Sequence, residues 1–218
     1  MSRGWIVVWQ HHNEMLHGLL NTMWLAALAA VASLILGALL AMVLMSRLRP
    51  VVRIATIFID AMRCVPFLLL AYFVYYGLPS LGLTLDNWTA GLSSLIAYNT
   101  GYMAELLVAA WRSLPADTIE AAHAFGFHGF GVFRRIVLPP VLLNAAPMIG
   151  NQVIQIVKDS AFLTIIAVAE LTHAAAGIQS TYYVPFAAFV AAVLLYWLLC
   201  LGVEQFVGVA EAAAGRRR

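Results

Sequence analysis

Charged residues are scarce in this chain. Only 12 Lys and Arg and 10 Asp and Glu occur among 218 residues, 10% charged against 63% hydrophobic, where soluble proteins carry about a quarter charged. Such a chain cannot clothe one compact domain in polar surface, which excludes a water-soluble globular class. The scarcity has a sharper form, because Lys158 is the sole lysine. A G-x-x-x-x-G-K-[ST] phosphate loop needs its lysine directly after a glycine, and none stands there, so this chain does not handle ATP in the Walker manner. H-E-x-x-H and G-x-S-x-G are also missing, which removes the zinc-protease and serine-hydrolase signatures. A formal charge of +2 offers no surface for nucleic acid. Cys64 and Cys200 lie in apolar runs without metal-ligand spacing and read as packed, reduced thiols. No internal repeat is evident, which speaks against a fused inverted-repeat carrier.

What is present is long apolar sequence. Several runs exceed the roughly 20 residues that cross a bilayer, so the chain is an all-α integral membrane protein. Five spans are expected, at about 19–45, 54–78, 88–111, 140–168 and 184–207, in a single transmembrane domain covering 1–218. Leu19 to Met45 contains no ionisable residue, and at about 1.5 Å per residue it reaches about 40 Å, enough to cross with tilt. The stretch 161–168 at the end of the fourth reads as half-membrane or re-entrant. Strands are not expected, since the runs lack the alternation of a membrane barrel. The first apolar run is too long for the core of a cleaved signal peptide and reads as a retained span.

Basic residues set the expected topology. Arg47, Arg49 and Arg53 follow the first span, Arg112, Arg134 and Arg135 the third, and Arg216, Arg217 and Arg218 the fifth. The alternate loops, about 79–87 and 170–183, contain no Lys or Arg. By the positive-inside rule the amino terminus is outside and the carboxyl terminus cytoplasmic, with Arg3 as a small dissent. His11, His12 and His17 group near the amino terminus and read as solvated or headgroup-level side chains rather than metal ligands.

Between the third and fourth spans lies a polar stretch, 112–139. Asp117-Thr118-Ile119-Glu120 fits a capping box, and Gly126 suits a left-handed helix end, so a two-turn helix is expected over Thr118–Phe125. Ala121, Ala122 and Ala124 form a small face, flanked by Ile119 and Phe125. A second short helix from Phe130 to Val137 should then be broken by Pro139-Pro140. Two turns are marginal alone in water, so such a helix needs tertiary or partner contacts.

From Glu120 to Pro139 the pattern is E-A-A-x3-G-x9-I-x-L-P. It resembles the coupling loop of ABC importer permeases. Arg63-Cys64-Val65-Pro66 stands where the polar amino-acid subfamily, which includes histidine, glutamine and arginine permeases, carries an R-G-T-P run. Lys158-Asp159-Ser160 resembles its K-D-T/S run, and Ala169-Glu170-Leu171-Thr172 its P-E-L-T run. Cys64 and Val65 depart from Gly and Thr, which puts the local shape near Arg63 in question. The resemblance implies a type I importer permease in the bacterial inner membrane, with a cytoplasmic coupling loop at 112–139. Asp117, Glu120, Ala121, Ala122 and Gly126 would dock on a separate ABC ATPase dimer that binds ATP and Mg, and this chain would hold no cofactor. A second permease, identical or homologous, would complete the pathway. An extracytoplasmic substrate-binding protein would dock on the outer loops.

Ionisable groups at bilayer depth face partners or a cavity. Asp60, Arg63, Asn99, Glu105, Lys158, Asp159 and Ser160 are the candidate substrate path. Asp60 and Arg63 share a helix face and can pair; Arg63 with Asp159, or Lys158 with Glu105 or Asp60, are further pairings. Tyr98, Tyr102, Asn151, Gln152 and Gln155 offer polar groups nearby that also suit helix–helix glue. Tyr72, Tyr75, Tyr76 and Trp88 read as an interfacial aromatic belt. An ion-gradient carrier or channel using Lys158, Asp159 and Glu105 is the alternative, followed by a structural or sensory membrane subunit.

Overall fold

The computed structural model describes residues 2–46 and 48–215; Arg47 and Arg216 to Arg218 lie outside them. The described residues are helical throughout, without strands. A short helix α1 (Ser2–Gln10) turns at His11 into the long α2 (His12–Leu44). Next come α3 (Arg49–Cys64) and α4 (Phe67–Tyr72), which continues through a π-helical turn at Phe73–Gly77 and a 3-10 turn at Leu78–Leu81. α5 (Asn87–Arg112), α6 (Ala116–Ala124), α7 (Phe130–Val132), α8 (Leu138–Ser160), α9 (Leu171–Tyr182) and α10 (Pro185–Gly215) complete the chain.

Among the described residues, three helical stretches are long and apolar enough to cross a membrane: His12–Leu44, Phe133–Ile166 and Pro185–Val209. The second expected span is not straight, because α3 and the Phe67–Leu81 stretch meet at 106°. Pro66 has no N–H to continue the ladder and forces extended backbone on the residue before it, and Val65 sits at φ −87, ψ 131. The 26-residue α5 is long enough to cross at about 1.5 Å per residue. It is less apolar because it turns Ser94, Asn99 and Thr100 into the protein.

The α2 helix is sorted by size rather than polarity. Gly18, Thr22, Ala26, Ala29, Ser33, Gly37 and Ala41 are buried at spacings of three and four, while Leu20, Trp24, Leu28, Val31, Ile35 and Leu39 face outward. Lipid tails are as apolar as leucine, so helices associate through close backbone approach at small residues. At Gly37 a Cβ would fall 2.6 Å from the Met103 Cβ and 3.0 Å from the Ala104 nitrogen. This seam joins α2 to α5, with Leu25, Leu95, Met103, Ile156 and Leu163 in the central core.

Two corrections concern prolines and cysteines. Pro139 and Pro140 do not end the second short helix, which runs without a break into α8. A π-helical turn at Phe133–Val137 precedes them, with the Leu138 N–H donating to the Phe133 carbonyl, so the widened turn accommodates the missing N–H groups and the rings. Cys64 is exposed at the α3 end rather than packed, and Cys200 is partly buried; both are free thiols. Tyr72 and Tyr75 and Trp88 pack against the central core, leaving Tyr76 the exposed member of the expected belt.

Candidate functional site

The polar loop folds back on the bundle. α6 begins one turn's edge earlier than the capping box predicts. Pro115, at φ −57 and ψ 135, is its N-cap, and no side chain caps it. Asp117 therefore lies inside the first turn, where its charge meets the positive helix end. The carboxyl end is a Schellman motif: the Phe127 N–H donates to the Ala122 carbonyl at 3.0 Å and the Gly126 N–H to the His123 carbonyl at 3.0 Å. Gly126 has φ +81, a left-handed conformation that glycine adopts without strain.

One face of α6 belongs to the fold. Ala122 is 4% exposed and packs, with Ile119 beside it, against Leu107, Val108, Ala110, Val132 and Val137. Ala122 therefore turns away from any partner, contrary to the docking set expected for it. Asp117, Glu120, Ala121 and Gly126 are on the open face. Phe125 joins them at 83% exposed, an aromatic ring with no cover of its own.

The intramembrane polar groups divide into pairs that the sequence spacing did not foresee. Arg63 Nη1 donates to Glu105 Oε2 at 2.7 Å, both side chains about half exposed, and so bridges α3 and α5. It pairs with neither Asp60 nor Asp159. Asp60 and Lys158 are exposed, and no ion pair to either occurs among the described residues. Asn99 is buried glue: its Nδ2 donates to the Leu95 carbonyl at 2.8 Å, and its Oδ1 accepts from Gln152 Nε2 at 2.7 Å, tying α5 to α8. Ser160 is buried too, its hydroxyl donating to the Val157 carbonyl. Neither Asn99 nor Ser160 lines an open path in this conformation.

Asp159 differs from all of these. Its side chain is 4% exposed, Oδ1 accepts from Gln155 Nε2 at 2.8 Å, and Oδ2 is buried with no partner among the described residues. Tyr98 lies within electrostatic reach of it. The Tyr98 hydroxyl is 3.3 Å from that of Tyr102, and its ring meets Phe67 edge-on at 5.3 Å. An ionised carboxylate has about four acceptor sites. One of them is filled here, so the arrangement can receive a donor, an ammonium above all.

A second polar cluster holds the other end of the bundle. Glu170, expected on an outer loop, is fully buried as the N-cap of α9. Its carboxylate accepts from the backbone N–H groups of Thr172 and His173 at 2.7 Å each and from the Tyr196 hydroxyl at 2.6 Å. The Leu171 N–H donates to Thr22 Oγ1, and Asn21 Nδ2 to the Ala169 carbonyl. Asn87 Nδ2 donates to the carbonyl of Ala167, a residue held at φ 58. Burial pushes the Glu170 carboxyl up, against the hydrogen bonds from Tyr196, Thr172 and His173 that favour its charged form. An acidic residue just before a helix is the sequence signal for this cap; the tie to Tyr196 has no local signal.

Comparison with known proteins places these features in context. A probable glutamine ABC transporter permease of Bacillus subtilis is 28% identical, covering 94% of this chain and 95% of its own length. An arginine transport system permease of the same organism is 30% identical over 89% of both. Among solved structures, an amino acid ABC transporter crystallised with histidines superposes with a TM-score of 0.89 at 27% identity, covering 96% of this chain and 98% of that one. The methionine ABC transporter in an inward-facing form shares the fold, with a TM-score of 0.68 at 20% identity over 93% and 96%. The family described as binding-protein-dependent transport system inner membrane component matches residues 19–214. This chain belongs to that family: it is a membrane permease component of the ABC importer type.

Proposed function

We propose that the chain is one half of the translocation pathway of an ATP-driven importer for a polar amino acid or a close relative. It sits in the membrane with its amino terminus outside, and α5 serves as the third of its five spans, shielded by α2, α3 and α8. A second permease, identical or homologous, supplies the other half. An extracytoplasmic binding protein delivers substrate. The ATPase dimer, which holds ATP and Mg, docks on the open face of α6 through Asp117, Glu120, Ala121, Phe125 and the turn at Gly126. This chain itself carries out no chemistry.

The observation that carries this reading is the divided loop helix. Its inner face is seated through Ala122 against α7 and the π-helical turn Phe133–Val137 that leads into α8, while its outer face offers Glu120 and an uncovered Phe125. A push on the outer face thus passes through that turn into α8, which packs on α5. Inside the membrane, the Arg63–Glu105 pair and the buried, unpartnered oxygen of Asp159, which a change of conformation would have to uncover, supply both signs of charge, as the carboxylate and ammonium of a zwitterion require. Ligands named for the relatives, glutamine, arginine and histidine among them, are the first substrates to test. Reconstitution with the candidate ATPase and binding protein decides the matter. Uptake should follow ATP on the ATPase side; uptake that ignores ATP and follows an ion gradient would overturn the proposal.

A further inference from the structure

Beside α1 lies a groove of about 490 Å³ that the transport reading does not use. It is lined by Trp5 and Trp9 of α1, His12 and Leu16 of α2, and Ala191 and Leu194 of α10, among others. Its lining joins the short α1 to the start of α2 and to α10, and apart from His12 and the indole N–H groups it is apolar, as a surface facing lipid is. The α1 helix is clamped beside it: Gly4 lies so close to α10 that a Cβ would sit 3.0 Å from the Ala187 Cβ. Yet Trp9 is 76% exposed, and Leu16 and Leu194 are also open. The lining thus combines two indoles and an imidazole, Trp9 and His12 stacked on each other, with otherwise apolar side chains.

This lining has a chemical preference. His12 Nδ1 is 2.8 Å from the Trp9 carbonyl, and a carbonyl can only accept, so Nδ1 carries the hydrogen. In the neutral ring Nε2 is then left as an acceptor. The imidazole also stacks on Trp9 at 5.6 Å and 24°, which fixes its direction. None of the lining residues is Lys or Arg, and the nearby His11 is bonded to Glu14. A lone-pair acceptor beside exposed aromatic faces attracts a cation; a bare phosphate finds no fixed positive charge here.

We infer that this groove binds a phospholipid with an ammonium headgroup, phosphatidylethanolamine being the simplest. One acyl chain would lie against Leu16 and Leu194, and the ammonium would donate to His12 Nε2 over the Trp9 ring. The site belongs to whichever leaflet holds the start of α2, and it is independent of what the importer carries.

The test uses the full chain in nanodiscs at pH 8, with either phosphatidylethanolamine or phosphatidylglycerol brominated on its acyl chain. The Trp5 and Trp9 signal is the fluorescence difference between the wild type and a Trp5→Phe, Trp9→Phe chain. Half-quenching of that signal should need about threefold less brominated phosphatidylethanolamine than phosphatidylglycerol, the scale of one modest hydrogen bond with a cation–π contact. His12→Leu, an exposed position, should bring the two lipids level. Equal half-quenching in the wild type, a preference for phosphatidylglycerol, or a preference that survives His12→Leu would each overturn the assignment. Failure of both lipids to quench would mean that protein covers the groove, and would overturn it too.

Discussion

Asp159→Asn separates two roles that a buried acid can have. In a structural role the carboxylate would answer a cation, and its loss would strand that cation at a cost of about 3–5 kcal/mol. Here the neighbouring cations are committed elsewhere or face outward: Arg63 pairs with Glu105, and Lys158 is exposed. Asp159 has one hydrogen bond, from Gln155, and its Oδ2 is buried without a partner. Asparagine keeps the shape and can still accept from Gln155. It exchanges an unanswered charge for an unanswered amide, and a buried orphan costs about 1–3 kcal/mol when neutral and more when charged. The variant should therefore be as stable as the wild type or up to about 2 kcal/mol more stable. Transport should move the other way. Losing a hydrogen bond to a charged donor is worth about 1.5–3 kcal/mol, or roughly 10- to 150-fold in the substrate concentration needed for half-maximal uptake. Two assays on one preparation suffice: unfolding in mixed dodecylmaltoside–SDS micelles, and ATP-driven uptake of radiolabelled glutamine, arginine and histidine into proteoliposomes. A variant that unfolds about 2 kcal/mol more easily while transporting normally would refute the reasoning.

Other perturbations probe the scaffold and the dock. Gly37→Leu should unfold about 1–3 kcal/mol more easily in the same micelles, because overpacking there presses on α5 backbone. Gly177→Ala, where an added Cβ meets nothing within 4 Å, should be neutral or stabilising by about 0.5–1 kcal/mol. Phe125→Ala should weaken co-purification of the ATPase by about 2 kcal/mol, the size of an aromatic anchor, and Glu120→Lys should weaken it without reducing membrane insertion. Unchanged pull-down of both variants would count against the dock. For Glu170, burial raises the folded carboxyl above its ordinary value of 4.5. Its stabilising share is complete below that value and is lost as pH rises through the raised one. The unfolding midpoint should accordingly fall over that window, and Glu170→Gln should flatten the slope.

The membrane class, the helical fold and the loop between the third and fourth spans were legible because each rests on local pattern. Apolar run length reports the bilayer, and Gly126 reports its own backbone. What escaped was settled by contacts between distant segments. Arg63 lies one turn from Asp60 on the same helix, yet it reaches Glu105, 42 residues on, because α3 crosses α5 there. Ala121 and Ala122 are indistinguishable in sequence; only the packing of α6 against α7 and the Phe133–Val137 turn carries Ala122 inward. The double proline looked like a stop because its remedy, the π-helical turn, lies upstream and has no residue signature of its own. Asp117 looked like a cap because Pro115, which supplies the extended entry, leaves no side-chain oxygen to announce it.

The cluster around Glu170 carries a consequence for biosynthesis. Asn21 and Thr22 are made early, and their partners Ala169 and Leu171 follow 148 and 149 residues later. At about 5–20 residues per second the first long helix waits roughly 7–30 s before its buried polar groups are answered. Tyr196 comes later still. During that interval the nascent chain displays an unsatisfied amide and hydroxyl on an otherwise apolar segment, a mark that membrane insertion and quality-control machinery can read. Arrival of the segment around Ala169 and Leu171, before the last span is made, is what erases it.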